Sequence, residues 1–309
     1  MKIKFQYRGL LAFTILAVIG CAAAPEPIDG LVAINGTELY VKTMGDGDPI
    51  LVVHGGPGWD HSYFLPQLGE LAEDHRLVFY DQRLSGRSPG DLDPSEISLS
   101  LLVEDIEGLR QHLGIEKLRL LAHSYGGRLA LEYAVKYPAN LDSLILLNSN
   151  AASSEFSDAA RARLAERFTP DLQQRQQELA SSEAFQSGDA SAFTAMMKLM
   201  IASNFHDPSQ VDALNLTFPA DIRTRGERMQ QGMSADMAPY DLHPQLASVD
   251  CPTLILHGSA ELLPVEASEK MRDAFPNARL ELLENCGHFP FIECPDQLFT
   301  AVRTFLSEG

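Results

Sequence analysis

One short stretch constrains the fold of this chain most, because it joins an apolar segment, a serine and a helical pattern. Residues 118–122 are mostly apolar and short enough for a buried strand, and they lead directly into His-Ser-Tyr-Gly-Gly at 123–127. A helical pattern follows and ends before Pro138. Ser124 at such a corner is typical of a nucleophile elbow, a tight turn that raises the hydroxyl above a sheet. Ala122 stands where this motif has its first glycine.

The pattern around this corner predicts a parallel sheet covered by helices on both faces. Residues 31–34 and 38–42 predict a hairpin around Asn35-Gly36. Helical segments separate most of the later strands, as in α/β folds. Five further apolar segments predict strands, at 50–53, 77–80, 144–147, 253–256 and 280–283.

The strand pattern is absent from residue 151 to about 249, where polar helical sequence takes over. We therefore predict the α/β-hydrolase fold: a mostly parallel eight-stranded sheet flanked by helices, with an inserted helical cap. The core is expected at 31–150 and 246–309, and the cap at 151–245. One cap helix face either packs on the core or lines a substrate pocket; it carries Phe193, Met196, Met197 and Met200.

The first residues predict a targeting segment. Three basic residues precede an apolar run at 9–20 that is short for a membrane span. The run ends before Cys21 and resembles a bacterial lipoprotein signal, which implies a signal peptide at 1–20 and a lipid anchor and tether at 21–30. Plain secretion and an uncleaved anchor are the alternatives. The resemblance also implies that Ala22, rather than Asp, after the cysteine favours the periplasmic side of the outer membrane. We therefore expect an extracytoplasmic, lipid-anchored protein.

The net charge bears on nucleic-acid binding, and the number of cysteines bears on disulfide pairing. The formal net charge of −18 opposes nucleic-acid binding, which depends on Lys and Arg at phosphates. Beyond the signal, Cys251, Cys286 and Cys294 remain, an odd number for an oxidising compartment. We expect buried free thiols, with a 286–294 bridge as the alternative.

A serine nucleophile needs a base, and the base needs an acid that fixes its tautomer. His288 lies in a glycine-flanked loop after the last predicted strand, and Glu261 is the only carboxylate in the loop after the penultimate one. The order Ser124, Glu261, His288 is the one this fold requires. The backbone N–H groups of Gly56 and Tyr125 are the expected oxyanion hole.

The remaining histidines predict no further chemistry. We expect His54 to brace its loop and His123 to pack beside the elbow. The sequence shows no H-E-x-x-H, C-x-x-C or clustered His/Asp set, so no catalytic metal is predicted.

Three motifs resemble the proline iminopeptidase family of α/β-hydrolases: H-G-G-P-G at 54–58, D-Q-R-L-S-G-R-S at 81–88 and H-S-Y-G-G at 123–127. The resemblance covers roughly residues 30–150 and 245–306. It implies release of an N-terminal residue, usually proline, through an acyl-enzyme and without a cofactor. It also implies that cap and loop carboxylates bind the substrate's α-ammonium group.

The sequence departs from that family at several positions. Leu84 replaces a glycine, Glu261 stands where aspartate is expected, and Leu262 stands where some relatives carry an amine-binding glutamate. Glu227 has a chain position similar to a family amine-binding glutamate. Alternatively, Glu227 belongs to a solvated salt-bridge face with the neighbouring Arg225 and Arg228.

Three functions remain open on the sequence alone. The first is a serine aminopeptidase acting on N-terminal proline or small residues of short peptides. The second is a carboxylesterase or related acyl hydrolase on the same three residues. The third is a non-catalytic binding lipoprotein. Ser124 excludes relatives that use an aspartate nucleophile.

Overall fold

The computed structural model describes residues 26–308. The signal peptide predicted at 1–20 and the lipid site predicted at Cys21 lie outside these residues. None of the helices within the described range combines the length and the apolarity that a bilayer crossing requires.

Eight strands form one sheet, in the spatial order β1-β2-β4-β3-β5-β6-β7-β8. β1 and β2 pair as an antiparallel hairpin, β2 pairs antiparallel with β4, and every other pairing is parallel. The predicted mostly parallel sheet is therefore confirmed. The strands are β1 (Asp29–Ile34), β2 (Thr37–Met44), β3 (Pro49–Val53), β4 (Arg76–Tyr80), β5 (Leu118–His123), β6 (Leu141–Leu147), β7 (Thr253–Gly258) and β8 (Ala278–Leu283).

Helices cover the sheet and fill the segment between β6 and β7. The α-helices are α1 (Leu99–His112), α2 (Tyr125–Lys136), α3 (Ser157–Arg167), α4 (Pro170–Ser181), α5 (Glu183–Gln186), α6 (Ala190–Ile201), α7 (Ile222–Gly232), α8 (His243–Leu246), α9 (Val265–Ala274), α10 (Pro290–Glu293) and α11 (Pro295–Ser307). The 3₁₀ helices are His61–Phe64, Gln67–Glu73, Pro94–Glu96, Pro138–Asn140, Ser154–Phe156, Ala202–Asn204, Pro208–Ala213 and Ser234–Met237.

The core has two parts because successive side chains of a strand point to opposite faces of the sheet. In β3, Leu51 and Val53 join one apolar cluster, and Ile50 and Val52 join the other. Helices α1, α2 and α9 cover the first cluster, and α11 covers the second through Leu298, Phe299, Val302 and Phe305. Burial on both faces explains why the strands appear in the sequence as nearly continuous apolar runs.

The segment between β6 and β7 begins and ends at one place. Ser153 forms an isolated bridge with Asp241, Leu242 N–H donates to Ala152 C=O at 2.8 Å, and Ser154 N–H donates to Tyr240 C=O at 3.0 Å. Apart from this bridge, the described residues of the segment form helices and loops. This is the geometry expected of an insertion that leaves the sheet undisturbed. The boundaries 151–245 remain a prediction.

A buried ion pair fixes the loop after β4. Arg83 forms a bidentate pair with Asp105 of α1, at 2.7 and 2.8 Å. It also donates to the backbone carbonyls of Asn35 and Glu96. The D-Q-R arginine therefore joins the hairpin turn, the loop and α1. Burial of Asp105 outweighs the attraction of Arg83 and raises the pKa of its carboxyl.

The expectation of buried free thiols was wrong for two of the three cysteines and is confirmed for Cys251. Cys286 and Cys294 form a disulfide, and Cys251 is buried and free. The short helix α10 reverses the chain after the His288 loop and brings the two Cα atoms to 5.8 Å, within the range that a disulfide can bridge. The sequence did not indicate this reversal, so a bridge over eight residues was the less favoured alternative.

Candidate active site

The serine lies at a strained corner between β5 and α2. Ser124 has φ 56° and ψ −124°, in the left-handed half of backbone space that few residues other than glycine adopt. Gly126, two residues after the serine, allows the chain to turn here, because a Cβ at this position would lie 2.5 Å from the carbonyl oxygen of Val53. Ala122 is fully buried in β5, opposite Val53 of β3. Its methyl group is therefore accommodated where glycine was expected.

Three side chains that are far apart in the sequence meet at this corner. His288 Nε2 lies 3.0 Å from Ser124 Oγ, and His288 Nδ1 lies 2.6 Å from Glu261 Oε2. The carboxylate can only accept, so Nδ1 carries the proton and Nε2 presents a lone pair to the serine hydroxyl. Ser124 and His288 are half-buried, while Glu261 is buried. Such an arrangement can move a proton from the hydroxyl to the imidazole.

The electrostatics of the pair match this geometry. Burial opposes the charged form of His288, but the Glu261 carboxylate outweighs burial, and the pKa of His288 is raised above its ordinary value. Burial likewise favours neutral Glu261, yet the charge and hydrogen bond of His288 prevail and lower the pKa of Glu261 to about 2. The N–H of Leu262 donates to the other carboxylate oxygen at 2.6 Å. Glu261 is therefore an anion that holds the imidazole.

The glycine-rich loop after β3 approaches the serine closely. A Cβ on Gly55 would lie 2.9 Å from the Cβ of Ser124, so only glycine fits there. Within the described residues, no hydrogen bond is found from the N–H of Gly56 or of Tyr125, the first residue of α2. Both predicted donors thus remain available to an oxygen atom beside the serine.

The loop that carries His288 is held at nearly every backbone group. His288 N–H donates to Asn204 C=O at 2.9 Å, and His288 C=O accepts from His123 Nε2 at 2.8 Å. Glu293 accepts from the N–H groups of Gly287 and Phe289 at 3.0 and 2.9 Å. The disulfide closes the same loop. A loop fixed at this many points keeps its imidazole in one orientation.

Sequence reasoning missed the side chains that hold this loop. Asn148, at the end of β6, donates to Gly287 C=O at 2.7 Å and accepts from Gly258 N–H at 2.8 Å. It joins the loop of Glu261 to the loop of His288. The sequence offered one signal for Asn148: it directly follows a predicted strand. Because its side chain is uncharged, it was not considered as the acid that supports the histidine. Glu293 was also missed, because it lies in no motif. The same holds for Tyr63, whose hydroxyl accepts from Gly55 N–H in the glycine-rich loop at 2.8 Å.

His54 and an acidic cluster serve the loops around the site. His54 is fully buried, and its Nδ1 lies 2.7 Å from Gly55 C=O, as expected of a loop brace. Asp60, His61 and Asp81 lie close enough to share a cation, a cluster that the sequence pattern did not show. However, His61 N–H and Nδ1 contact one Asp81 oxygen, and another backbone N–H donates to the second. We therefore assign the cluster to loop packing.

A cavity of about 1170 Å³ lies between the cap segment and the elbow. Its apolar wall includes Trp59, Phe193, Met197 and Phe218, and Tyr125, the residue after the serine, also lines it. The face of α6 that carries Phe193 and Met197 borders this cavity, and Met197 also packs against the second core cluster. Phe193 and Met197 line the cavity, whereas Met196 is buried.

Glu227 lines this cavity, and the salt-bridge alternative is not found. Arg225 pairs with Asp221 at 2.7 Å, and Arg228 donates to the carbonyl of Gly90 at 2.8 Å. No ion pair involving Glu227 is present within residues 26–308. Its exposed carboxylate is therefore open to a ligand.

The departure at Leu84 has a structural cost. Leu84 has φ 60°, a conformation that suits the glycine usual at this position. Its side chain is fully buried and forms part of the cavity wall. A conformation that disfavours leucine is therefore maintained at a position where the side chain shapes the cavity.

A family model described as alpha/beta hydrolase fold matches residues 48–295. The chain belongs to this family. Among curated relatives of this α/β-hydrolase, the proline iminopeptidase of Lactobacillus crispatus (strain ST1) is 27% identical over 92% of this chain and 99% of its own. The proline iminopeptidase of Lactobacillus delbrueckii subsp. lactis is 30% identical, covering 83% of this chain and 90% of its own. The resemblance to the proline iminopeptidase family is confirmed by these relatives.

Solved structures agree on the fold of this α/β-hydrolase. A thermophilic esterase from Thermogutta terrifontis, solved with malate bound, has a TM-score of 0.63 at 25% identity and covers 93% of this chain and 99% of its own. Taken together, the comparisons support a hydrolase.

Proposed function

We propose that this chain is a serine hydrolase that releases N-terminal proline or small residues from short peptides through an acyl-enzyme. The observation that carries the proposal is the hydrogen-bonded series Glu261, His288 and Ser124, with separations of 2.6 and 3.0 Å. The relatives named proline iminopeptidase support the substrate class. The proposed reaction requires only groups of this chain and water.

In the proposed mechanism, Ser124 Oγ attacks the carbonyl carbon of the substrate's first residue while His288 Nε2 takes the hydroxyl proton. The carbonyl oxygen becomes an oxyanion and accepts hydrogen bonds from the N–H groups of Gly56 and Tyr125. His288 then gives its proton to the leaving amine, and water hydrolyses the acyl-serine with His288 again as base. Glu261 keeps the imidazole in one tautomer and stabilises the imidazolium.

The substrate's α-ammonium group needs an anion in the cavity, and Glu227 is our candidate. It lines the cavity and has no ion pair within the described residues, whereas Asp158 is paired with Arg161. Asp236 also lines the cavity, and one of its oxygens accepts from Leu99 N–H at 2.8 Å. An ion pair between this carboxylate and the α-ammonium group would select a free N-terminus.

A carboxylesterase is the second candidate, and two observations favour it. Leu262 occupies the place of the amine-binding glutamate of some relatives, and it is buried. Much of the cavity wall is aromatic or aliphatic, which suits an acyl chain. The same three residues would then act on an ester carbonyl.

Two measurements test these proposals on the folded chain. A fluorophosphonate should label Ser124, and Ser124→Ala should abolish both labelling and turnover. Absence of an adduct on folded wild-type protein would instead support a non-catalytic binding lipoprotein. Proline β-naphthylamide and a series of p-nitrophenyl esters then separate the two hydrolases. Rapid ester turnover without amide cleavage would overturn the peptidase.

We also propose that the protein acts outside the cytoplasm, anchored to a bacterial membrane through lipid on Cys21. The Cys286–Cys294 disulfide supports an oxidising compartment. The partners proposed are a peptide or ester substrate and the membrane, with no nucleic acid. Mass spectrometry of the mature N-terminus tests the anchor, since an unmodified Cys21 would contradict it.

A further inference from the structure

Two buried side chains connect the glycine-rich loop to the loop of His288. Tyr63 and His123 are each 1% exposed and lie between these loops. His123 precedes the serine, and its ring centroid lies 4.8 Å from that of His288. Neither side chain has a part in the chemistry of the proposed mechanism. Both are nevertheless hydrogen-bonded at every polar atom.

The direction of each hydrogen bond in this connection is fixed by chemistry. The N–H of Gly55 can only donate, so Tyr63 Oη accepts it at 2.8 Å. The tyrosine hydroxyl then donates its own proton to His123 Nδ1 at 2.7 Å. Nδ1 is therefore the unprotonated nitrogen, and Nε2–H donates to His288 C=O at 2.8 Å. The series has one donor and one acceptor at each step.

We propose that Tyr63 and His123 are positioning residues that couple the oxyanion loop to the base. Through them the peptide of Gly55, adjacent to the oxyanion donor Gly56, is tied to the peptide of His288. The inference rests on the proposed function, because it assigns these residues to the placement of its donor and its base. Neither residue touches the substrate.

The surroundings of the pair favour a fixed arrangement. The rings of Phe64, Phe289 and Phe291 lie within 6 Å of His123, centroid to centroid, and separate it from water. Burial, with a smaller contribution from the charge of His288, lowers the pKa of His123 to about 3. The ring is therefore neutral at any pH at which the base works. In so dry a place a broken hydrogen bond is not replaced by water.

Packing alone would not require this pattern. A histidine buried only for its volume needs no particular tautomer, whereas here the tautomer is selected by a tyrosine that is itself oriented by the oxyanion loop. A displacement of about 1 Å at either loop is expected to lower the rate on the order of a hundredfold, because attack requires alignment of the serine, the base and the oxyanion donors.

The first test removes one hydroxyl. Tyr63→Phe should lower kcat tenfold or more while KM changes less than twofold, because the loss falls on the transition state. Tyr133→Phe is the matched control: Tyr133 is also fully buried, and its hydroxyl donates one hydrogen bond, to Glu107 at 2.8 Å, away from both loops. A purely structural role would lower the Tm of both variants and leave kcat unchanged.

The second test asks whether the hydrogen bonds or the ring matter. His123→Leu should lose at least as much kcat as Tyr63→Phe. His123→Gln should recover at least fivefold relative to His123→Leu, because the amide offers one acceptor and donors. Ring ¹⁵N NMR of the wild-type protein should show His123 as the Nε2–H tautomer. This last measurement needs no variant.

The proposal is overturned by a Tyr63→Phe enzyme that keeps kcat within twofold of wild type, by an equal loss in Tyr133→Phe, or by an Nδ1–H tautomer at His123. If Tyr63→Phe fails to fold, the proposal is tested by the His123 tautomer and by the kcat values of His123→Leu and His123→Gln. If the proposed serine mechanism itself were wrong, the result would differ, because Ser124→Ala would then retain turnover.

Discussion

At the scale of single residues, the conformation of Leu84 makes an unusual prediction. A non-glycine residue at positive φ costs about 1–2 kcal/mol, whereas glycine costs roughly 0.5–1 kcal/mol in chain entropy. Leu84→Ala keeps the backbone cost and loses the buried side chain, for a destabilisation of about 2–5 kcal/mol. Leu84→Gly loses the same side chain but relieves the backbone. We therefore expect the glycine variant to be the more stable of the two.

The control for Leu84 is Leu102, which is also buried but lies in α1. There glycine should be about 1 kcal/mol less stable than alanine, the usual helical order. Urea unfolding of the four variants measures both differences. The same order at both positions would show that φ at residue 84 carries no cost.

A second prediction at this scale concerns the pH dependence of turnover. The base must be neutral, and Glu261 raises the pKa of His288, so kcat/KM should fall as pH drops through a value above the ordinary histidine pKa. Glu261→Gln removes that anion, lowers the pKa of His288 and moves the acid limb to lower pH. It should also lower kcat about a thousandfold, because the imidazolium and its tautomer lose their support.

The control for the pH–rate profile of Glu261→Gln is Glu266→Gln, which removes an exposed carboxylate from the nearby helix α9. That control should keep both the wild-type kcat and the wild-type acid limb. An unmoved limb in Glu261→Gln would mean that another group holds the imidazole.

At the scale of elements, the His288 loop is restrained twice, by hydrogen bonds and by a disulfide. In the chain-entropy account, closing about nine residues stabilises the fold by roughly 2–3 kcal/mol. The hydrogen bonds from Asn148 and Glu293 remain when the disulfide is removed. Replacing Cys286 and Cys294 by alanine should therefore lower the free energy of unfolding by about that amount and change kcat at 25 °C less than tenfold.

Cys251→Ala is the control for the disulfide, since it removes a buried thiol that closes no loop. Its cost should be smaller than that of the double variant. Urea unfolding and turnover together separate the outcomes. A tenfold or greater fall in kcat with little loss of stability would show that the disulfide, rather than the hydrogen bonds, positions His288.

The elements themselves could be predicted because each left a local pattern. The apolar runs gave the strands, and the order of their loops brought Glu261 and His288 to the serine. The side chains that hold these loops could not be predicted. Asn148 and Glu293 bind backbone groups, and Tyr63 binds one backbone N–H and the His123 ring, contacts that leave no pattern in the sequence. The disulfide was missed for the related reason that the reversal at α10 is a matter of loop geometry.

At the scale of the whole molecule, the net charge of −18 predicts a preference in rate. A negative surface attracts cations over about 10 Å at 0.1 M salt and less as salt rises. Accordingly, kcat/KM for proline β-naphthylamide, whose amine is protonated, should fall severalfold between 20 and 200 mM KCl. A neutral p-nitrophenyl ester on the same enzyme is the control and should change little. Equal salt dependence would indicate that charge does not guide the substrate.

The side-by-side ends of the segment between β6 and β7 have a consequence for how such a molecule diversifies. Since Ser153 and Asp241 meet at a single bridge, helices of another length or composition can be grafted there without shifting any strand. The catalytic core and the segment that controls access to it can therefore change independently. A new substrate specificity requires a change in that segment alone.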